Sequence, residues 1–275
     1  MQNDKIAQHI VCWLQDYLKS SGQIGFVVGV SGGIDSALTS TLCCMTGAPT
    51  LCIELPIHQP ANQVSRALNH MAQLESRFQN CKGITVPLTE AFETMVSPWS
   101  RIEDGQLQHL ALANTRARLR MTTLYYYAGI HRSLVAGTGN KVEDFGVGFY
   151  TKYGDGGVDI SPIADLTKTQ VRELAAHLGV QHDILVAPPT DGLWQDDRSD
   201  EDQIGATYPE LEWAMDWLSK HGSKNDNKWI KPEYFLWNAL LQRQQEVLTI
   251  YMRLHNNNQH KMIPIPVCEI PEDWL

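Results

Sequence analysis

The stretch Gly29-Val30-Ser31-Gly32-Gly33-Ile34-Asp35-Ser36 constrains this 275-residue chain more than any other. Before it runs Ile24-Gly25-Phe26-Val27-Val28, short, apolar and rich in β-branched and aromatic residues; after it Ala37-Leu38-Thr39-Ser40-Thr41-Leu42 opens a helix. Strand, glycine turn and helix together make a phosphate-binding arrangement. Glycines admit the backbone close to an anion, and the first free N–H groups of the helix point at it. Ser31 and Ser36 add hydroxyl donors. Asp35 by itself would repel a phosphate, so a carboxylate there calls for a bridging cation such as Mg²⁺. Two familiar phosphate loops are excluded by spelling: no lysine follows the glycines as a Walker A loop requires, and G-x-G-x-x-G is missing. A glycine pair alone fits an ordinary βα turn; the full S-G-G-x-D-S string separates this loop from one.

The flanking segments extend the unit. Ile6, Ile10, Leu14 and Leu18, with Val11 and Trp13 beside them, predict an amphipathic helix over 3–20. The first strand covers 24–30. Thr50-Leu51-Cys52-Ile53-Glu54-Leu55, ended by Pro56, reads as a second, buried strand. Residues 59–78, apolar at Val64, Leu68, Met71 and Leu74, suit a helix, and Gly83-Ile84-Thr85-Val86-Pro87-Leu88 a third strand. That order predicts right-handed crossovers and a doubly wound, Rossmann-like parallel α/β sheet with helices on both faces. Ligands in such folds sit at the carboxyl ends of the strands, where the glycine loop lies.

Residues 104–130 predict a long helix centred on Asn114-Thr115-Arg116-Ala117-Arg118-Leu119-Arg120-Met121. Its three arginines cannot share one helix face. Beside the aromatic segment Leu124-Tyr125-Tyr126-Tyr127-Ala128 they are expected to meet carboxylate or phosphate. His131 to Asn140 reads as a strand ending in a glycine-containing loop. Five glycines within 146–157 predict a long functional loop. Residues 167–180 predict a helix capped by Thr169 and closed by Gly179. Residues 187–194 read as a loop and the acidic stretch 196–202 as a solvated, mobile one. Helices are expected over 209–219 and 232–254, the last ended by Asn256-Asn257-Asn258, with an extended tail from His260. Segments 143–158 and 191–206 are expected to settle only when substrate binds.

The length suffices for one large domain with a full core. The net charge of -9 argues against a nucleic-acid protein held by a general basic surface. The six cysteines form no C-x-x-C pair, so buried reduced thiols are expected rather than a disulfide frame or a zinc site. No stretch approaches the ~20 apolar residues that span a bilayer. Met1-Gln2-Asn3-Asp4-Lys5 does not open a secretory signal. A cytoplasmic protein without a membrane partner is the expectation.

The S-G-G-x-D-S string resembles the pyrophosphate loop of the N-type ATP pyrophosphatases, which split ATP between its α and β phosphates. Along most of its length the chain resembles the ammonia-dependent NAD synthetases. The resemblance covers Gly29–Ser36, Asn114 to Met121, Gly137-Thr138 with Glu143, Tyr150-Thr151-Lys152-Tyr153-Gly154-Asp155-Gly156-Gly157 with Asp159, Asp165 to Arg172, Pro189-Thr190, Ser199 to Gly205, and His260-Lys261. Thr151 to Gly157 is its most specific run. The connection from Glu143 to Lys152 holds one residue more than the family's common form, and Trp194 to Arg198 match loosely.

The resemblance implies an adenine nucleotide alpha hydrolase-like fold and roles by position. Gly29, Val30, Ser31, Gly32, Gly33, Ile34, Asp35, Ser36, Thr138, Lys168 and Thr190 would bind ATP. Asp35 and Glu143 would bind Mg²⁺. Arg118, Lys152, Asp159, His260 and Lys261 would contact deamido-NAD. Asp35, Lys152 and Lys168 would act in catalysis. It also implies ATP, deamido-NAD and ammonia as substrates, a homodimer with deamido-NAD at its two-fold interface, and a single domain, 1–275, without the fused amidase of the glutamine-using members.

Two other functions compete. One is a different enzyme of the same loop class, amidating a nucleotide or modifying a tRNA base; a tRNA enzyme should carry a basic appendage, and none is present. The other is a nucleotide-binding regulator without catalysis, against which Asp35, Glu143, Lys152 and Lys168 argue.

Overall fold

Each apolar run of the N-terminal half becomes a strand or a packed helix. The computed structural model describes residues 1–190 and 199–274. In chain order it runs α1 (Asn3–Ser21), β1 (Gly25–Gly29), α2 (Ile34–Met45), β2 (Thr50–Glu54), α3 (Ala61–Arg77), β3 (Cys81–Thr85), α4 (Thr89–Val96), α5 (Gly105–His131) and β4 (Ser133–Val135). A π-helical stretch (Lys141–Val147) follows, then α6 (Lys168–His177), α7 (His182–Leu185), α8 (Asp200–Ile204), α9 (Tyr208–His221), β5 (Ser223–Asn225), β6 (Lys228–Ile230), α10 (Tyr234–Asn238) and α11 (Gln242–Met262).

The main sheet is parallel throughout, with strand order β3-β2-β1-β4. The chain winds outward from β1 to β3 and then returns to lay β4 on the other side of β1. The point where the order reverses, between β1 and β4, opens a crevice at the carboxyl ends of those strands. Alternation along β1 feeds two cores. Phe26 and Val28 pack with Leu14, Leu38, Leu42 and Leu174 under α1, α2 and α6, whereas Val27 packs with Leu51, Ile53 and Val135 toward α4 and α5. All three β1 residues are fully buried. Burial of each such side chain is worth about 1.5–3 kcal/mol, so the sheet is held from both faces. A third cluster, built on Tyr208, Leu211, Val247, Leu248 and Tyr251, joins α9 and α11 to the π-helical stretch. Among the described residues no helix is long and apolar enough to cross a membrane.

Several elements depart from expectation. β3 begins at Cys81 rather than Gly83, because Asn80 ties the strand entrance to the Cys44 and Ala48 carbonyls and β3 pairs with β2 from Thr50↔Cys81. Thr167, not Thr169, caps α6, in a reciprocal capping box with Gln170. The expected helix over 232–254 breaks between α10 and α11, where Gln245 donates to the Trp237 and Leu240 carbonyls. α11 then runs through Asn256 to Asn258 to Met262. Asn256 pairs with the Trp229 main chain at 2.8 Å for both its amide and its carbonyl, and Asn258 donates to the Val147 carbonyl. These tertiary bonds override the modest helix propensity of asparagine, and they put His260 and Lys261 in a last helical turn instead of a tail.

The glycine-rich segment starts as the π-helical stretch and is tied down further along. Thr151 is buried, with its hydroxyl 2.6 Å from Asn114 Oδ1, and Lys261 Nζ donates to the Gly148 and Tyr150 carbonyls. Of the acidic stretch, 196–198 lie outside the described residues, as do 191–195 of the two loop segments. Asp200 is not solvated: it is buried at the start of α8 behind the Ser199 capping box. Cys43, Cys44 and Cys52 are buried free thiols as expected, but Cys12 and Cys268 are exposed.

Candidate functional site

The loop after β1 is shaped by one residue that must be glycine. Gly32 has φ +81°, and a Cβ there would lie 2.5 Å from the Gln63 carbonyl oxygen. The Ser36 hydroxyl folds the loop on itself, accepting from the Ser31 N–H and donating to the Gly33 carbonyl, while Ser31 Oγ accepts from the Gly33 N–H. No side chain caps α2, so the N–H groups of its first turn remain open to an anion. Arg66 from α3 holds the Gly32 carbonyl at 3.2 Å.

Asp35, in that first turn, faces Lys168, the first residue of α6. Lys168 Nζ lies 2.6 Å from Asp35 Oδ2 and 2.9 Å from Glu143 Oε1, with only 4% of the lysine side chain exposed and 16% of each carboxylate side chain. Asn140 organises the cluster: its Nδ2 donates to Asp35 Oδ1, and its Oδ1 accepts from the Val142 and Glu143 N–H groups at the head of the π-helical stretch. The Tyr208 hydroxyl donates to Glu143 from α9. Asp144 packs directly over Gly139, where a Cβ would meet its carboxylate.

Burial alone would strip the proton from Lys168, but Asp35 and Glu143 outweigh it and raise its pKa, so it stays an ammonium. Burial likewise pushes Glu143 upward, yet Lys168 and the Tyr208 hydroxyl more than offset this and hold it low. Asp35 is raised, because burial and the neighbouring Glu143 exceed what Lys168 and Asn140 return. Burial, with Glu143, Asp155 and Asp35 around it, lifts Asp144 to about 8. One ammonium thus serves several crowded carboxylates. The donors are all hard oxygens, which fits a magnesium ion beside the phosphate loop.

The phosphate loop, Arg66, Asp35, Glu143 and Lys168 line one cleft of about 630 Å³ between β1 and β4. The structure brings Gly29 to Ser36, Thr138, Glu143, Lys168, Thr190 and Lys261 onto its wall. Arg118, Lys152, Asp159 and His260 do not line it. Three of them form a chain along its outside: Arg118 Nε donates to the Lys152 carbonyl at 3.3 Å, and Lys152 Nζ to the His260 carbonyl at 2.6 Å. The Asp159 carboxylate is engaged internally, by Tyr125 Oη at 3.0 Å and the Val135 N–H at 2.8 Å. Of the arginines of α5, Arg120 has the expected carboxylate near it, since its charge acts on Glu54. Arg116 lies over the Phe92 ring, and Arg120 donates to the Leu55 carbonyl and to Gln59 Oε1 at the far end of the cleft.

Sequence reasoning missed Asn140, Tyr208 and Glu54 as members of this wall or its support. Asn140 follows the glycine loop after β4 at a helix-cap position, a signal that was legible. Tyr208 opens an ordinary helix far along the chain, and nothing local marks it.

A family model described as NAD synthase matches residues 6–262. The NH(3)-dependent NAD(+) synthetase of Carboxydothermus hydrogenoformans is 39% identical over 218 residues, which are 78% of this chain and 86% of that protein. Among solved structures, an NMN synthetase from Francisella tularensis superposes with a TM-score of 0.78 at 32% identity, covering 99% of each chain. The NH3-dependent NAD synthetase of Campylobacter jejuni, in complex with nitrate, superposes with a TM-score of 0.73 at 25% identity, covering 98% of this chain and 100% of that one.

Proposed function

The chain belongs to the NAD synthase family, and from that premise we propose that it amidates deamido-NAD to NAD with ammonia at the expense of ATP, releasing AMP and pyrophosphate. The observation that carries the reading is the meeting, in one cleft, of the open first turn of α2 with Asp35, Glu143 and Lys168.

In this reading Gly29 to Ser36, Thr138, Lys168 and Thr190 hold ATP. The nicotinate carboxylate attacks the α-phosphorus, pyrophosphate leaves, and ammonia then attacks the acyl carbon of the adenylate and expels AMP. The loop N–H groups receive the phosphate oxygens, and Lys168 supplies fixed positive charge where negative charge develops. Asp35 and Glu143 would hold Mg²⁺, which would neutralise the departing pyrophosphate. Lys152, assigned to catalysis by resemblance, and Arg118, Asp159, His260 and Lys261 contact deamido-NAD.

All but Lys261 of those deamido-NAD residues lie off the cleft wall, as a site completed by a second copy of the chain would require. α5 supports a homodimer: Leu107, Tyr126 and Ile130 are each more than half exposed on it. Leu124 and Ala128 of the same segment point inward instead, Leu124 against Gly29. A single domain working in the cytoplasm completes the proposal.

The experiment is incubation with ATP, Mg²⁺, ammonium and deamido-NAD, counting NAD, AMP and pyrophosphate. Equal yields of all three support the reading, and ATP consumption without NAD overturns it. The Francisella likeness favours a second reading, amidation of the mononucleotide acid to NMN. Comparing kcat/KM for the two acids decides between them.

A further inference from the structure

Cys44, Cys52 and Cys81 come from three different elements, the end of α2, the middle of β2 and the start of β3, and the fold gathers them beneath α3. Their sulfurs all lie within 4.8 Å of one another, with Cys52 Sγ and Cys81 Sγ 3.9 Å apart. Neither the nucleotide cleft nor its supports use them. We propose that these three thiols form a binding site for a soft divalent cation of the zinc type.

The spacing is the first argument. An equilateral triangle with a 3.9 Å side has its centre about 2.3 Å from each corner, and a 4.8 Å side gives about 2.8 Å, against a zinc–sulfur bond of about 2.3 Å. Around a tetrahedral zinc the sulfurs lie about 3.8 Å apart, so closing the wider separations by at most about an ångström brings all three to bonding distance of one ion. A disulfide would satisfy two sulfurs and leave the third crowded against it.

The second argument is the surroundings: a buried imidazole lies near enough to act on Cys81, though its nitrogens are not within 4.8 Å of all three sulfurs. His70 on α3 is 1% exposed, and its Nδ1 is buried without a hydrogen-bond partner. Its Nε2 lies 2.9 Å from Ser40 Oγ, whose own proton goes to the Ser36 carbonyl at 2.7 Å. The ring is thus held to α2 through Nε2. Burial holds the imidazole at about 4, so it is neutral at physiological pH, and it interacts electrostatically with Cys81. Three thiolates supply the soft donors that select zinc, and the fourth position is open to water. β3 is the edge strand and Cys81 is only half-buried, which gives the ion a route in. Each thiol that binds loses its proton to solvent. The bound ion would staple α2, β2 and β3 together on the side of the sheet under α3.

The test uses the untagged, reduced full chain after EDTA treatment and gel filtration. Titration with Zn²⁺ against a chromogenic chelator should give one tightly held ion per chain, raising the melting temperature until one equivalent is reached. X-ray absorption of the loaded protein should show three sulfur neighbours at about 2.3 Å and one lighter atom. Cys52→Ser should lose at least 100-fold in affinity, while Cys12→Ser/Cys268→Ser keeps the ion. A shell of nitrogen and oxygen alone, fewer than three sulfurs, or equal affinity in Cys52→Ser overturns the proposal. Should Cys52→Ser fail to fold, the sulfur count in the parent protein decides alone. Fully reduced protein that takes up no zinc also overturns it, leaving three thiols with a packing role.

Discussion

Lys168 Nζ and Asp35 Oδ2 lie 2.6 Å apart across 133 residues of sequence, joining the start of α6 to the first turn of α2. Both helices pack on the same face of the sheet. The ion pair therefore fixes their ends relative to each other and holds the phosphate loop against the π-helical stretch through Glu143.

Replacing Lys168 with methionine removes the cation that Asp35 and Glu143 share. Breaking a buried pair from one side leaves uncompensated charge, at a cost of about 3–5 kcal/mol. Lys168→Met should lose stability on that scale in urea denaturation, and added Mg²⁺ should restore part of it. A variant within about 1 kcal/mol of the parent in EDTA would show that the carboxylates tolerate each other without the lysine.

Asp35→Asn separates metal binding from phosphate binding. The amide keeps the shape and can still accept from Asn140, while the open N–H groups of α2 are untouched. ATP affinity should change only a few-fold, and turnover should fall on the order of 100-fold or more, the scale of removing one preorganised electrostatic group. Calorimetry for ATP beside steady-state rates gives both numbers. Near-parental turnover at saturating Mg²⁺ would remove the metal role of Asp35.

Gly32→Ala tests the loop backbone. The position has φ +81° and no room for a Cβ, whereas Gly47 has φ +78° and nothing within 4 Å of an added Cβ. The left-handed conformation costs a non-glycine residue about 1–2 kcal/mol at either site. Only Gly32→Ala must also move the loop away from Gln63, so it should weaken ATP binding at least tenfold. Gly47→Ala should leave ATP binding unchanged. Equal ATP affinity in both variants would mean that the loop adapts freely.

The exposed side chains of α5 give a test of assembly. Tyr126 and Ile130 are 64% and 58% exposed. If the chain is a homodimer through this helix, Tyr126→Asp/Ile130→Asp should convert it to monomer in light scattering. Deamido-NAD affinity should fall with the loss of the second copy. A parent protein that is monomeric at assay concentration would remove the dimer.

How far the sequence could be read depended on how local each signal was. The strand–glycine loop–helix unit was legible because the apolar run of β1, the glycines and Asp35 lie within a dozen residues. The sheet followed from short apolar runs, of which β1 and β2 are buried on both faces. Elements decided by distant partners were not legible. Asn256 and Asn258 stay helical only because Trp229 and Val147 take their side chains. α3 buries Met71 and Leu74 of the expected stripe, but it also turns Gln63, Ala67 and His70 inward and leaves Leu68 at 43% exposure. In the site, Asp35, Glu143 and Lys168 were each marked by a motif, but that one ammonium bridges both carboxylates is a property of the packed fold.

The burial of His70 on α3 leads to a prediction about acid stability. His70 is buried and neutral, with burial the main cause of its low value and Arg77 adding to it, against Cys81, Asp183 and a backbone bond to Ala37 that favour the charged form. Its folded value is about 4, against an ordinary 6.5. Between those two values the unfolded chain binds a proton that the folded chain refuses, so stability rises with pH across that window and is lost as pH falls from 6.5 toward 4. At about 1.4 kcal/mol per unit, going from pH 7 to pH 5 should cost the metal-free protein about 2 kcal/mol through this residue. His70→Gln keeps a donor for Ser40 but cannot take up the proton. Urea denaturation in EDTA at pH 7 and pH 5 should therefore show a loss in the parent that exceeds the loss in His70→Gln by about 2 kcal/mol. The variant should be less stable than the parent at pH 7, with the gap narrowing at pH 5. A gap that stays constant between the two pH values would mean that His70 titrates as an ordinary exposed histidine, and that its buried, neutral state is not what opposes acid.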